Sequence, residues 1–248
     1  MVTPKDSGGL PAGFSRFWWG EAVSGFGSAV TLLVLQTLVV VTLQGSAVQV
    51  GWLNSARWLP YLVLGLVVGA LVDRRRRRPL MMATDLTRGV LLALIPLTWA
   101  FDFLGFPLLL VLVVLFGTVS LINDASSMSF LPRLVSRAHL QRAHARLDGA
   151  DAVAQTAGPA VAGALIRVIG APLAVLVDAL TYLFSAAMVA SLRGVAEPAA
   201  EPPSTSRSLR GLVAEIREGA RWVYAGSGLG RLAVATHVWF AGQQCSWW

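Results

Sequence analysis

Charge is scarce in this sequence: Asp, Glu, Lys and Arg together make up 13% of 248 residues, against roughly 25% in typical soluble domains. A soluble domain of this length must cover itself with polar side chains, and the chain lacks them. Cysteine is nearly missing too. The single Cys245 excludes an internal disulfide and any cysteine-based metal site. His139, His144 and His237 are the only histidines, and they form no HExxH-type spacing. No G-x-x-x-x-G-K-[ST] loop is present to cradle the phosphates of ATP. No Ser/His/Asp or Cys/His constellation pairs a nucleophile with a base. No enzyme activity, cofactor or metal is therefore expected, and ATP is not expected to drive anything this chain does. No A-x-A cleavage signal follows the first apolar run, so the N-terminus reads as an uncleaved anchor.

What the sequence has in abundance is apolar length. Hydrophobic residues make up 55% and the mean hydropathy is +0.65. Runs of about 20 apolar residues, enough to cross a ~30 Å hydrocarbon core, recur near 17–43, 48–72, 79–101, 106–130, 147–166 and 172–192. The fold expected is an all-α membrane protein, a six-helix transmembrane bundle occupying residues 1–193. Phe14, Phe17, Trp18 and Trp19 cluster at the first run as an interfacial aromatic belt. The fifth run differs from the rest. It is rich in alanine, glycine and threonine and carries Asp148, Asp151 and Gln155, which suits packing against other helices better than facing lipid.

The formal net charge of +7 would, in a soluble protein, suggest a nucleic-acid partner. Here the arginines sit between apolar runs, so no nucleic acid is expected and the lipid bilayer is the partner. The links after the second, fourth and sixth runs carry nearly all the basic residues, while the odd links hold essentially Arg167 alone. By the positive-inside bias the N-terminus is cytoplasmic. Lys5 is the one lysine against nineteen arginines, a composition that points to a high-GC bacterial gene and hence to the bacterial inner membrane.

Beyond the sixth run, residues 194–226 read as a cytoplasmic linker and helix. Pro198, Pro202 and Pro203 prevent a core from forming. Leu209, Leu212, Val213, Ile216, Ala220 and Val223 then recur at helical spacing opposite charged residues, an amphipathic pattern for the inner membrane face or the bundle. Residues 227–248 read as an incomplete seventh span.

The link after the second run reads Gly69-Ala70-Leu71-Val72-Asp73, then Arg74 to Arg78. It resembles the signature of the major facilitator superfamily at that link, G-x-L-x-D-R-x-G-R-R, with Arg76 where the signature has glycine. A plain stop-transfer cluster is the alternative, and Gly69, Leu71 and Asp73 in register favour the signature. Ser24, Gly27, Pro60, Asp85-Leu86-Thr87-Arg88, Leu131-Pro132 and the stretch from Val177 to Tyr182 are similar to the macrolide-efflux and enterobactin-exporter branch. Gly158, Pro159 and Gly163 resemble the end of the antiporter motif, G-P-x-x-G-G; an ordinary packing kink is the alternative.

The resemblance implies a secondary transporter for an amphipathic drug or secondary metabolite, working by alternating access. It also implies that the six helices form a 3+3 inverted repeat. Gly69, Asp73, Arg74, Arg77 and Arg78 would be a conformational latch, with Gly69 allowing two helices to approach closely. Charges inside apolar runs must face protein or water. Asp85 and Arg88, three apart on one face, read as a structural pair, and Asp178 also reads as structural. Glu21 and Asp124 fall on cavity-lining spans, where each either binds a cationic substrate group or coupling proton, or sits at the water interface. Arg57 is either a gate or a snorkelling side chain, and Gln155 joins these residues as a pathway candidate. The small-molecule substrate is expected to need a second six-helix bundle, or self-association, to enclose it. The opposing expectation is a truncated bundle with no activity of its own.

The arginine distribution generates a labelling test. With Cys245 removed, single cysteines at Gly45, Gly105 and Gly170 should react with an impermeant thiol reagent from outside the cell. Labelling at Arg76 or Pro203 from outside would invert the topology.

Overall fold

The structure is a computed structural model that describes residues 10–73 and 75–192 and single positions at 221, 230, 232, 234 and 235, the side chains of 12, 66, 70 and 73 excepted. Arg74, the linker, and, those single positions aside, the expected amphipathic helix and seventh span lie outside the described residues. Among the described residues there are six long helices and no strand: α1 (Ala12–Thr37), α2 (Ala47–Asp73), α3 (Arg77–Ala100), α4 (Phe106–Leu134), α5 (Leu140–Ile169) and α6 (Ala171–Ala190). By length and composition five of them, α1 and α3 to α6, are able to cross a membrane. Between them α2 runs for 27 residues. The chain is a multi-pass membrane protein.

Two boundaries differ from the hydropathy reading. α4 continues through Pro132 to Leu134, and α5 begins at Leu140, so most of the basic stretch between the fourth and fifth runs is helical. Proline is tolerated in the last turn because the helix is already ending there. Only a short 3₁₀ turn, Arg137–His139, remains as a connection. At its other end the α1 segment loosens into a π-helical turn, Leu38–Thr42, and reverses at Gln44 with φ 52°. Ser46 and Gln49 then start α2 with a reciprocal cap. The Ser46 N–H donates to Gln49 Oε1 at 2.9 Å, and the Gln49 N–H donates to Ser46 Oγ at 3.4 Å.

The helices alternate in direction. Arg16 donates to the Ser191 carbonyl at 3.0 Å, and Arg78 donates to the carbonyls of Val189 at 3.1 Å and Ala190 at 2.6 Å. The starts of α1 and α3 therefore meet the end of α6, where guanidinium groups satisfy exposed carbonyls and oppose the helix dipole. Phe14, Phe17, Phe130, Leu131, Ala143 and Val189 are buried in one cluster at this arginine end. Leu38, Ile95, Leu109 and Ala171 belong to a larger core cluster that reaches the opposite, turn end.

Arg78 is thus not interchangeable with its neighbours: Arg77 is buried, while Arg75 and Arg76 are exposed. Arg76 adopts φ −70° and ψ 124°, an extended conformation open to any residue, so the turn does not need the glycine of the family signature.

α1 packs on α5 and α6, α3 packs on α4 and α6, and α2 packs on α4. Exchanging α1 with α4, α2 with α5 and α3 with α6 maps this set of contacts onto itself. The two exchanged halves run in opposite directions, so the pattern is that of a 3+3 inverted repeat. α3 and α6 form the back, exposing Leu86, Val90, Leu180 and Leu183. α1 and α4 are the centre of the front, flanked by α5 and α2.

Glycine creates two of the tight crossings. A Cβ on Gly117 would stand 2.6 Å from the Arg57 carbonyl oxygen, and one on Gly158 would stand 2.9 Å from Ala29 Cβ. A Cβ on Gly69 or Gly163 meets no atom of the described residues within 4 Å. The fifth helix likewise packs less than its composition suggests. Ala143, Ala154, Gly158 and Ala162 are its buried residues, one stripe against α1, and most of the rest is exposed.

Gly117→Ala and Gly158→Val should therefore each destabilise the bundle by about 1–3 kcal/mol. Gly69→Ala and Gly163→Ala should leave the detergent-solubilised chain unchanged in size-exclusion thermal-stability assays. Of the turn positions proposed for cysteine labelling, Gly105 disturbs the fold least. Gly170 has φ 80°, and a Cβ on Gly45 would lie 2.7 Å from Val39 Cγ1.

Candidate functional site

A buried polar network ties the back helices to the front. Asp85 Oδ1 accepts from Arg88, within one turn of α3. The Asn123 amide from α4 donates to the same oxygen at 3.0 Å and to Thr84 Oγ1 at 2.7 Å. The Ser185 hydroxyl from α6 donates to Asp85 Oδ2 at 2.8 Å. The Arg88 guanidinium also lies 4.2 Å from the centre of the Tyr182 ring, a cation–π contact that lipid does not weaken. The Tyr182 hydroxyl reaches Ser28 Oγ on α1 at 2.7 Å. Three helices besides α3 thus contribute to holding one ion pair.

Asn123 and Asp124 are adjacent, yet they face opposite ways. Asn123 is buried in the network, whereas Asp124 is exposed on the front. There it accepts a 2.6 Å hydrogen bond from the Tyr61 hydroxyl of α2. Half-buried Glu21 on α1 accepts from Ser127 Oγ at 3.1 Å. Both carboxylates line a cavity of about 460 Å³ whose α5 wall carries Asp148, Asp151 and His144, and at whose base Arg88 lies. Glu21 is roughly 14 Å along α1 from Ala12, and Asp124 about 15 Å from the end of α4. Both lie about a third of the way along their helices from the arginine end. Four carboxylates face one guanidinium that is already paired with Asp85, so the cavity carries an excess of negative charge.

Toward the turn end, a second cavity of about 1100 Å³ opens between α1 and α2, lined in part by Gln36, Asn54, Trp52 and Trp58. Gln36 donates to Asn54 at 3.3 Å across it. Between the two lies a small space of about 20 Å³ walled by Ser28, Thr31, Leu35, Asn54, Arg57 and Phe116, among others. Ser28 also lines the carboxylate cavity, and Asn54 also lines the turn-end one. The three spaces therefore follow one another along α1. Arg57 stands at the narrow point, half-buried, with its guanidinium 5.9 Å from the Trp58 ring.

Of the residues singled out from sequence, Glu21 and Asp124 share the carboxylate cavity and Arg57 the constriction. Gln155 and Pro159 are exposed on α5, one and two turns beyond Asp151. Asp73 ends α2, with its side chain outside the described set. Tyr61, Ser127 and the paired role of Asp148 with Asp151 were not anticipated. Asp148, Asp151 and Gln155 repeat at helical spacing, a signal present in the sequence. No sequence pattern links Tyr61 to Asp124, because that contact crosses between helices. Among the described residues no group of three or more His, Cys, Asp or Glu is placed to hold a metal ion.

The sequence model of the Major Facilitator Superfamily matches residues 17–244. The multidrug efflux pump Tap of Mycobacterium tuberculosis is 32% identical over 203 residues, covering 80% of this chain and 48% of that protein. Macrolide efflux protein A of Streptococcus pyogenes is 28% identical over 187 residues, covering 73% of this chain and 44% of that protein. The Staphyloferrin A transporter of Staphylococcus aureus is 25% identical over 147 residues, covering 59% of this chain and 37% of that protein. The chain spans about half the length of the curated relatives it matches.

The network around Asp85 predicts unequal costs for two carboxylates. Asp85→Ala strands a buried guanidinium and two donors and should cost about 3–5 kcal/mol. Asp124→Asn, on the open front, should cost under about 1 kcal/mol. Thermal unfolding of the two variants in one detergent would measure the difference.

Proposed function

Because this chain belongs to the major facilitator superfamily, we propose that it forms one bundle of a secondary transporter that exports amphipathic, cationic small molecules by alternating access. The observation that carries this reading is the cavity walled by Glu21, Asp124, Asp148 and Asp151, well inside the helix ends. A low-dielectric wall strengthens the attraction of such a group for a cation, while Met128, Leu131 and Leu147 in the same wall offer apolar contact. The export direction draws on the names of its relatives, two of which are efflux proteins. By the arginine distribution, the arginine end faces the cytoplasm of a bacterial cell and the carboxylate cavity takes its substrate from that side or from the inner leaflet.

A cavity that is open along the front needs a second surface to close it. That surface is a second six-helix bundle or a second copy of this chain, meeting the exposed face of α5 and α2. Pro159 leaves the Gln155 carbonyl without its helical donor, so α5 can bend there. Gly163, with open space beside it, is free to receive a partner helix. At the arginine end, Asp73 with Arg74, Arg77 and Arg78 acts as the latch, and Arg78 contributes by holding the end of α6. Gln155 and Arg57 serve as polar contacts along the path.

Reconstitution in liposomes tests this reading, with efflux of ethidium and of a neutral amphipathic dye measured beside the oligomeric state. Glu21→Gln combined with Asp124→Asn should cut ethidium export by about tenfold, roughly 1.4 kcal/mol of cation binding, and spare the neutral dye. Equal losses for both dyes would refute charge recognition. Export by a demonstrably monomeric preparation would refute the need for a second surface.

A further inference from the structure

Asp178 takes no part in the network or the cavity described above. It is fully buried where α6 meets α1, and Gly27 leaves the room for its carboxyl. Oδ1 accepts from Thr181 Oγ1 at 2.9 Å, but among the described residues Oδ2 has no hydrogen-bond partner of normal geometry. Thr31 faces the same carboxyl from α1, is itself 3% exposed, and its hydroxyl is also without a hydrogen-bond partner of normal geometry. Facing each other without a well-formed hydrogen bond, the Asp178 carboxylate and the Thr31 hydroxyl are incompletely satisfied in the apolar middle of a membrane bundle, which is costly unless a proton or a water completes them.

Thr31 also lines the small space of about 20 Å³ at the constriction, which has volume for a single water with Ser28, Asn54 and Arg57 as polar neighbours. Asn54 continues from there into the cavity at the turn end. We propose that Asp178 is a proton-binding site of this transporter, supplied from the turn end through the space at Thr31. The assignment rests on the transport reading above and deepens it by naming the coupling ion.

The chemistry balances without a co-reactant. A proton arrives from bulk water through the turn-end cavity and binds the Thr31 oxygen as the existing Thr31 O–H bond breaks, its proton forming an O–H bond on Oδ2. Asp178 goes from anion to neutral acid and returns the proton by the reverse step. The charged and titratable groups acting on it are Arg88 from α3, Arg57 from α2 and Tyr182 one turn along α6. α1 covers it with Gly27 and Thr31, and the carboxylates of α5 line the other cavity instead. Tyr182 links the site to the substrate side, since its hydroxyl meets Ser28 and its ring meets Arg88, both in the carboxylate cavity wall.

Infrared difference spectra of the full chain in lipid, recorded as the bath is taken from alkaline to acid, test the assignment. A protonated-carboxyl C=O band should appear and shift down in D₂O. Asp178→Asn should remove it, while Glu21→Gln and Asp124→Asn keep it. Thr31→Val retains the carboxyl but lacks the hydroxyl, and should slow the D₂O shift even if Asp178→Asn fails to fold. A band that survives Asp178→Asn, a band displaced by sodium, or an exchange rate unchanged in Thr31→Val would overturn the proposal. The spectra do not require transport. A chain assembled with its second bundle that binds the proton but moves no dye refutes the transport reading, and dye export by that assembly without the Asp178 band refutes this one.

Discussion

Hydrocarbon offers no hydrogen bonds, and that one constraint orders this bundle. Asp85, Arg88, Asn123, Ser185 and Tyr182 would each be expensive facing lipid, so they face one another. The contacts they make are the contacts of the fold: α3 to α4 through Asn123, α3 to α6 through Ser185 and Tyr182, and α6 to α1 through Ser28. A network that joins four helices this way also fixes their rotation. With α3 and α6 holding the polar network on one side, Leu86, Val90 and Leu180 point outward.

The same constraint explains the front. Among the described residues no ion pair neutralises Glu21, Asp124, Asp148 and Asp151 as Arg88 does Asp85, so their place is beside water or a ligand. Small residues decide how close the front helices come. Gly158 and Ala162 let α5 lie on α1, and Gly117 lets the α2 backbone touch α4. This places α2 and α5 as flanks of a trough rather than as members of a closed ring. The carboxylates on the walls of that trough are what the proposed recognition of a cationic molecule rests on.

Hydropathy alone located the six helices, since each needs about 20 apolar residues and the links are short. It misplaced the α4–α5 boundary because arginine and histidine in the first turns of α5 look like a loop, although an exposed basic turn is compatible with a helix. The pairing of Asp85 with Arg88 was legible from their spacing of three. The partners of Asp124 and Asp178 were not, because Tyr61 and Thr31 lie on other helices. Asp178 reads from sequence as structural; its orphaned oxygen is visible only with Thr31 and Gly27 in place. The motif glycines differ in their surroundings: Gly158 packs tightly, while Gly69 and Gly163 meet no described atom.

The account stands on the front being wet and the back being lipid-facing. Spin labels placed singly at Asp124, Asp148 and Gln155, and at Leu86, Val90 and Leu180, measure this directly in proteoliposomes. The account predicts that a water-soluble nickel chelate relaxes the first set more than oxygen does, and that oxygen dominates at the second. Oxygen dominance at Asp124 and Gln155 would mean that the carboxylate face meets lipid, and would contradict the account.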